Sequence, residues 1–71
     1  MITVDLKQQK IFADGKEITG IRDFTLAYVP GHKQLSASRI QTDASGRPVA
    51  EFGATFEQDL RFVDDQFEVI A

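Results

Sequence analysis

Hydrophobic residues in this chain recur at every second position, the period of a β-strand, and no stretch sustains the 3.6-residue period of a helix. Ile2, Val4 and Leu6 alternate with Thr3 and Asp5, which predicts a half-buried first strand. Two short β-like runs, residues 10–13 and 16–19, flank Asp14-Gly15. That dipeptide predicts a type I′ hairpin, because both central residues of such a turn need positive φ. Gly20 interrupts the pattern. Phe24, Leu26 and Tyr28 resume it, with Thr25 and Ala27 on the opposite face. Pro30-Gly31 suits a type II turn, in which proline presets φ at the second position and glycine supplies positive φ at the third.

Residues 34–42 are more polar, with Leu35, Ala37 and Arg39 on one side and Ser36, Ser38 and Ile40 on the other. Ser36, Ser38 and Thr42 favour a strand over a short helix, and the weakly apolar composition suits a sheet edge. Lys33 and Arg39 then read either as charges that block that edge or as contacts in an assembly. Residues 43–48 form a loop by composition. Residues 49–57 read as one strand, with Ala50, Phe52, Ala54 and Phe56 facing one way and Gly53 introducing a bulge or bend. Leu60 and Phe62 lead to a turn at Asp64-Asp65-Gln66. The last strand presents either Phe67 and Val69 or Glu68 and Ile70. These elements predict an all-β fold: a compact antiparallel β-sandwich or partly open β-barrel of six to eight short strands. Phe24, Phe52, Phe56 and Phe62 are assigned to its core, and Tyr28 to its surface.

Length restricts this picture to one domain over residues 1–71. A chain this short buries only roughly 60% of the surface it exposes when unfolded, so its stability is expected to be marginal. No cysteine is present to staple it, and a single histidine leaves no zinc-ligand set, so neither a metal nor a cofactor is expected. What remains is a well-packed β core, self-association, or docking onto a larger partner. Met1 runs straight into the first strand pattern, with no basic segment and no long apolar run, so a signal peptide or membrane span is not expected. Residence in the cytoplasm, or in a particle assembled there, is the expectation.

Charge is unevenly placed. Residues 1–50 carry seven basic and five acidic side chains, whereas residues 51–71 carry Arg61 against six carboxylates. Head-to-tail contact between subunits and a solvated acidic terminus both fit this asymmetry. A net charge of −3 is poorly suited to nonspecific nucleic-acid binding, which rests on neutralising phosphates.

Candidate chemistry is sparse. His32 has Ser36 or Ser38 as conceivable nucleophiles and Asp23 or Asp43 to orient its ring, but Leu35-Ser36-Ala37-Ser38-Arg39 has no Gly-x-Ser-x-Gly nucleophile turn. A histidine in a surface turn is the simpler account. Asp64-Asp65, with Glu57, Asp59 and Glu68, lacks the Asp-x-Asp-x-Asp-Gly calcium loop and reads as a soluble hairpin turn. Paired carboxylates for glycoside hydrolysis would need a groove that a core this small can hardly spare. No catalytic residue and no small-molecule substrate are therefore assigned, and the chain is expected to act by binding. Residues 30–47 are the expected contact surface, with Tyr28, His32, Lys33, Arg39 and Arg47 contributing. The partner is expected to be a protein or a second copy of the chain. The alternative is a small OB-like single-stranded nucleic-acid-binding domain, with basic side chains along the phosphates and Tyr28 stacking on a base.

The opening stretch, Val4-Asp5-Leu6 followed by Lys10-Ile11-Phe12-Ala13-Asp14-Gly15-Lys16-Glu17-Ile18 and Gly20-Ile21-Arg22-Asp23-Phe24, resembles the start of small β proteins encoded by bacteriophages and prophages. The resemblance lies mainly in residues 4–28, and residues 47–56 loosely continue it, while residues 30–48 depart from it. Those proteins have a poorly defined role, and the resemblance carries over no catalytic residue. Together with the size, the all-β pattern and the missing catalytic constellation, it leads to the expectation of an accessory role through protein–protein contacts in assembly or host interaction.

Overall fold

A computed structural model describes residues 1–71. Nine short strands follow one another: β1 (Ile2–Asp5), β2 (Lys10–Ala13), β3 (Lys16–Glu17), β4 (Ile21–Val29), β5 (His32–Ile40), β6 (Ala50–Glu51), β7 (Ala54–Thr55), β8 (Glu57–Val63) and β9 (Phe67–Ile70). A single 3-10 turn, Asp64–Gln66, separates the last two. The strands form three sheets, ordered β3-β2-β1-β9, β4-β5-β8 and β6-β7, and none closes into a barrel. The all-β expectation holds, with nine strands rather than six to eight. One pairing is parallel, β1 with β9. The molecule is elongated, about 45 × 21 × 18 Å, because the β6–β7 hairpin forms a sheet of its own instead of closing over the core.

Turn chemistry sets the first sheet. Asp14 (φ 51) and Gly15 (φ 82) form the two-residue type I′ turn, so Ala13 pairs with Lys16. The second of the two runs is strand only through Glu17, and the Ile18 N–H still donates to the Ile11 carbonyl (2.8 Å). Between β1 and β2 the Asp5 carboxylate accepts from the Gln8 backbone N–H (3.0 Å) and its side-chain amide (2.9 Å), which tightens the loop. β9 then lies beside β1 with Ile2 opposite Phe67 and Val4 opposite Val69, so the inward residues of both strands share one face. This selects Phe67 and Val69 over Glu68 and Ile70 as the inward set. Phe67 is fully buried, while Ile70 is exposed.

The second sheet brings its apolar rows into register. Leu26 faces Leu35, which faces Phe62; Phe24 faces Ala37, which faces Leu60. Ala37 is the small member between two large side chains, and this lets the row pack without a clash. Val4, Ile11 and Phe67 from the first sheet meet Leu35 and Ala37 from the second, and these five are the buried core. Ile2, Ile18, Ile21, Phe24, Leu26, Leu60, Phe62 and Val69 pack around it.

Two expectations are corrected here. Residues 34–42 do not form an edge: β5 runs down the middle of its sheet, hydrogen-bonded to β4 on one side and β8 on the other. Serine-rich composition misleads because the outer face of this sheet meets solvent even at its centre, so a central strand can carry Ser36 and Ser38. Nor do residues 49–57 form one strand. The chain reverses at Phe52-Gly53, and Glu51 pairs with Ala54. Phe52 and Phe56 are exposed rather than core, while Phe24 and Phe62 pack half-buried as expected.

Gly20 ties the elements together. Its φ is +80, and a Cβ there would come within 2.2 Å of the Ile40 carbonyl oxygen. The Gly20 carbonyl in turn accepts from the Ile40 N–H at 2.8 Å. Only glycine allows β3's exit to lie against the end of β5.

Candidate docking arm and the opposite turn

β5 runs from the Pro30-Gly31 turn at one end of the molecule to a projecting arm, residues 41–56, at the other. The foot of the arm is well held. Gln41 N–H donates to the Phe56 carbonyl (2.8 Å), Val49 N–H to the Gln41 carbonyl (2.9 Å), and Thr42 bridges to Pro48. Arg39 clamps this foot to its surroundings. Its Nε donates to the Thr19 carbonyl (3.0 Å), and its two terminal nitrogens donate to Gln58 Oε1 (2.9 Å) and Thr42 Oγ1 (3.4 Å). Thr19 and Thr42 also share a hydroxyl–hydroxyl bond, and the Arg22 guanidinium pairs with the Glu57 carboxylate across the sheet.

Within the arm, the Asp43 carboxylate organises the loop that follows β5. One oxygen accepts from the Ser45 hydroxyl (2.7 Å) and from the Ser45 and Arg47 N–H groups (2.9 and 3.1 Å). The Ser45 hydroxyl, then the Arg47 amide, hold the carboxyl below its usual range. Beyond it the chain forms the β6–β7 hairpin, whose turn residues are Phe52 (φ 53) and Gly53 (φ 79). This is the same geometry as Asp14-Gly15. The first turn position, however, is filled by a phenylalanine that is 99% exposed. Left-handed backbone at a bulky residue costs about 1–2 kcal/mol, and nothing in the chain covers the ring in return.

The opposite end carries three of the residues expected at a contact surface. Tyr28, Val29, Pro30, His32, Lys33 and Asp64 border an open concavity of about 660 Å³ around Gly31. Val29 pairs with His32 across the two-residue turn, and Gly31 takes the positive φ (+78) that a type II turn requires. His32 donates from Nδ1 to the Asp64 carboxylate (2.7 Å), which leaves Nε2 to accept from the Gln34 amide (3.0 Å). The same Asp64 oxygen lies 3.3 Å from the Lys33 backbone N–H. Lys33 folds inward: its Nζ donates to the Phe67 carbonyl (2.8 Å) and lies 4.5 Å from the centre of the Phe67 ring.

Tyr28, His32 and Lys33 are thus gathered at one end. Arg39 lies at the other, three of its donors bonded to the protein itself, and Arg47 sits in the arm loop with its backbone bonded to Asp43. No serine hydroxyl is among His32's partners; Ser38 donates instead to Asp59 (3.4 Å). The carboxylates near the carboxyl end are dispersed, Asp64 on His32, Glu57 on Arg22 and Glu68 on the Thr3 hydroxyl, and no three metal-ligating side chains converge. No helix is long and apolar enough to cross a membrane.

Sequence reasoning placed Phe52 and Phe56 wrongly, and Phe52 lies at the turn itself. A signal existed: an X-Gly pair flanked by short β-like runs, as at Asp14-Gly15. The aromatic at X concealed it, because phenylalanine in strand register reads as core. Comparison with protein-family models, with curated proteins and with solved structures gives no match.

Proposed function

We propose that this chain is a non-catalytic interaction and assembly module that docks on a partner protein through the Phe52-tipped arm, as an accessory or structural protein of the phage or prophage kind. The observation that carries this reading is the tip itself. A fully exposed phenylalanine in a left-handed position lowers the stability of the isolated chain and adds an adhesive surface. Its burial in a partner's recess is worth about 1.5–3 kcal/mol, comparable to or above the cost of its backbone, about 1–2 kcal/mol. Phe56 is a second exposed aromatic, at the foot of the same arm, and the Arg39 clamp holds that foot. The resemblance over residues 4–28 supports the phage-type role, and assembly in the cytoplasm, or into a particle built there, accords with the lack of cysteine.

A photo-crosslinking residue introduced at position 52 in producing cells, against the same residue at exposed Lys16, tests the arm. The expected result is one discrete protein adduct from position 52, identified by mass spectrometry and absent from position 16. No adduct, or the same spread of adducts from both positions, would overturn the reading.

A further inference from the structure

The two larger sheets have four edges, and they are not alike. β3 is two residues long and charged, with Lys16 and Glu17. β9 is four residues long and carries Glu68. β8 is longer, but Glu57, Asp59 and Arg61 recur along it. Short length and charge are the usual means of keeping an edge from pairing with another chain. β4 has neither. It spans nine residues, and after the irregularity at Ile21–Asp23, where Arg22 is paired with Glu57, residues 24–29 run Phe-Thr-Leu-Ala-Tyr-Val without a charge, a glycine or a proline. One side of this strand bonds to β5, and the other side bonds to nothing. Tyr28 is 66% exposed and Val29 58%.

We infer that β4 pairs with β4 of a second copy of this chain, antiparallel about a two-fold axis at Leu26, to give one six-stranded sheet ordered β8-β5-β4-β4-β5-β8. Registry follows from the pleat. Residues directly opposite each other in an antiparallel pair share a face, so the two-fold must fall on a residue rather than between two. Centring on Leu26 sets Leu26 against its own copy and Phe24 against the partner's Tyr28, twice, all on the core face. The existing row Phe62-Leu35-Leu26 then runs unbroken into its mate, and each exposed Tyr28 ring gains an aromatic neighbour. On the solvent face Thr25 meets the partner's Ala27. Centring on Ala27 instead would carry Phe24 opposite Pro30, which has no N–H to give and lies outside the strand. A second copy is the occupant that fits, because this uncharged run matches itself in that register with both aromatic positions used. A core of only five buried residues gives the chain reason to extend its apolar rows.

Native mass by light scattering, from about 1 μM to 1 mM, measures the pairing. The expected result is a species of twice the 7.9 kDa chain mass that dissociates on dilution. Thr25 and Ala27 are exposed, so charges there leave the fold intact, which circular dichroism checks. T25K/A27K places like charges opposite each other twice and is expected to give a monomer across the range; T25K/A27E places opposite charges there and is expected to restore the dimer. A wild-type monomer at every concentration overturns the inference, as does a dimer indifferent to T25K/A27K. Restoration failing with T25K/A27E overturns the register. Phe52→Ser is expected to leave this dimer unchanged while abolishing the partner crosslinks formed from a photo-crosslinking residue at exposed Ala54 of the arm, so failure of the one reading is separable from failure of the other. A dimer lost in F52S would assign self-association to the arm and also overturn the β4 inference.

Discussion

Asp14 and Phe52 occupy the same backbone position in two hairpins of one type, with φ of 51 and 53 and a glycine following each. Aspartate tolerates that region because its short side chain bonds locally, whereas phenylalanine gains nothing there from its own chain. Replacing Phe52 by Asn restores the turn's preferred Asn-Gly pair. The substitution is expected to stabilise the hairpin by about 1 kcal/mol, which slows amide exchange of β6 and β7 roughly fivefold. The same variant, with the photo-crosslinking residue at exposed Ala54, is expected to lose the crosslinked partner. Exchange that stays the same or quickens would show that the phenylalanine is not strained where it sits. Arg39 makes the complementary point. It reads in the sequence as a surface charge open to a partner, but three of its donors hold Thr19, Thr42 and Gln58.

The strands owe their limits to turns more than to their own composition. Pro30-Gly31 and Asp14-Gly15 each join strands through two residues, and both were legible because proline and glycine restrict φ in ways no neighbour can override. The loop after β5 depends on a charge. Asp43 holds its lowered carboxyl through the Ser45 hydroxyl and the amides of Arg47, Ser45 and Gly46. A carboxyl lowered by folding contributes stability above its unfolded value of about 3.9, and that contribution is lost as pH falls through the folded value. The Ser45 and Arg47 amide resonances are therefore expected to titrate together with the Asp43 carboxyl, at a midpoint below about 3.9. A midpoint at or above that value would mean these bonds do not form in solution. Loosening is expected in the arm loop first, since Val4, Ile11 and Leu35 lie in the sheets and not in the arm.

The molecule as a whole holds little in reserve. Four side chains, Val4, Ile11, Leu35 and Phe67, are fully buried, and Leu35 sits where both sheets meet on the middle strand of its own. A chain of this length has a total stability of about 4–11 kcal/mol at the usual per-residue value. Leu35→Ala is expected to remove about 2–5 kcal/mol of it, as a lower urea midpoint with an unchanged slope. Tyr28→Ser, measured on the monomer, is expected to change it by less than about 0.5 kcal/mol. Similar losses from both would place Tyr28 in the core after all. The 45 Å length has the same origin as this thin core: residues 41–56 project instead of packing over it.

Period-two alternation and turn dipeptides carried the all-β class, the Asp14-Gly15 and Pro30-Gly31 turns, the loop at 43–48 and the inward faces of β1, β4 and β5. Each rests on local rules, sterics at φ and the alternation of the pleat, which act wherever the chain lies. Which strands are neighbours rests on contacts between residues far apart in the chain. No local pattern told that β9 returns parallel to β1, that β5 lies in the middle or that β4 is left at an edge. Phe52 shows the limit most clearly. Alternation can say that a phenylalanine is on one face of a strand, but whether anything lies against that face depends on where the remaining strands go, and here nothing does.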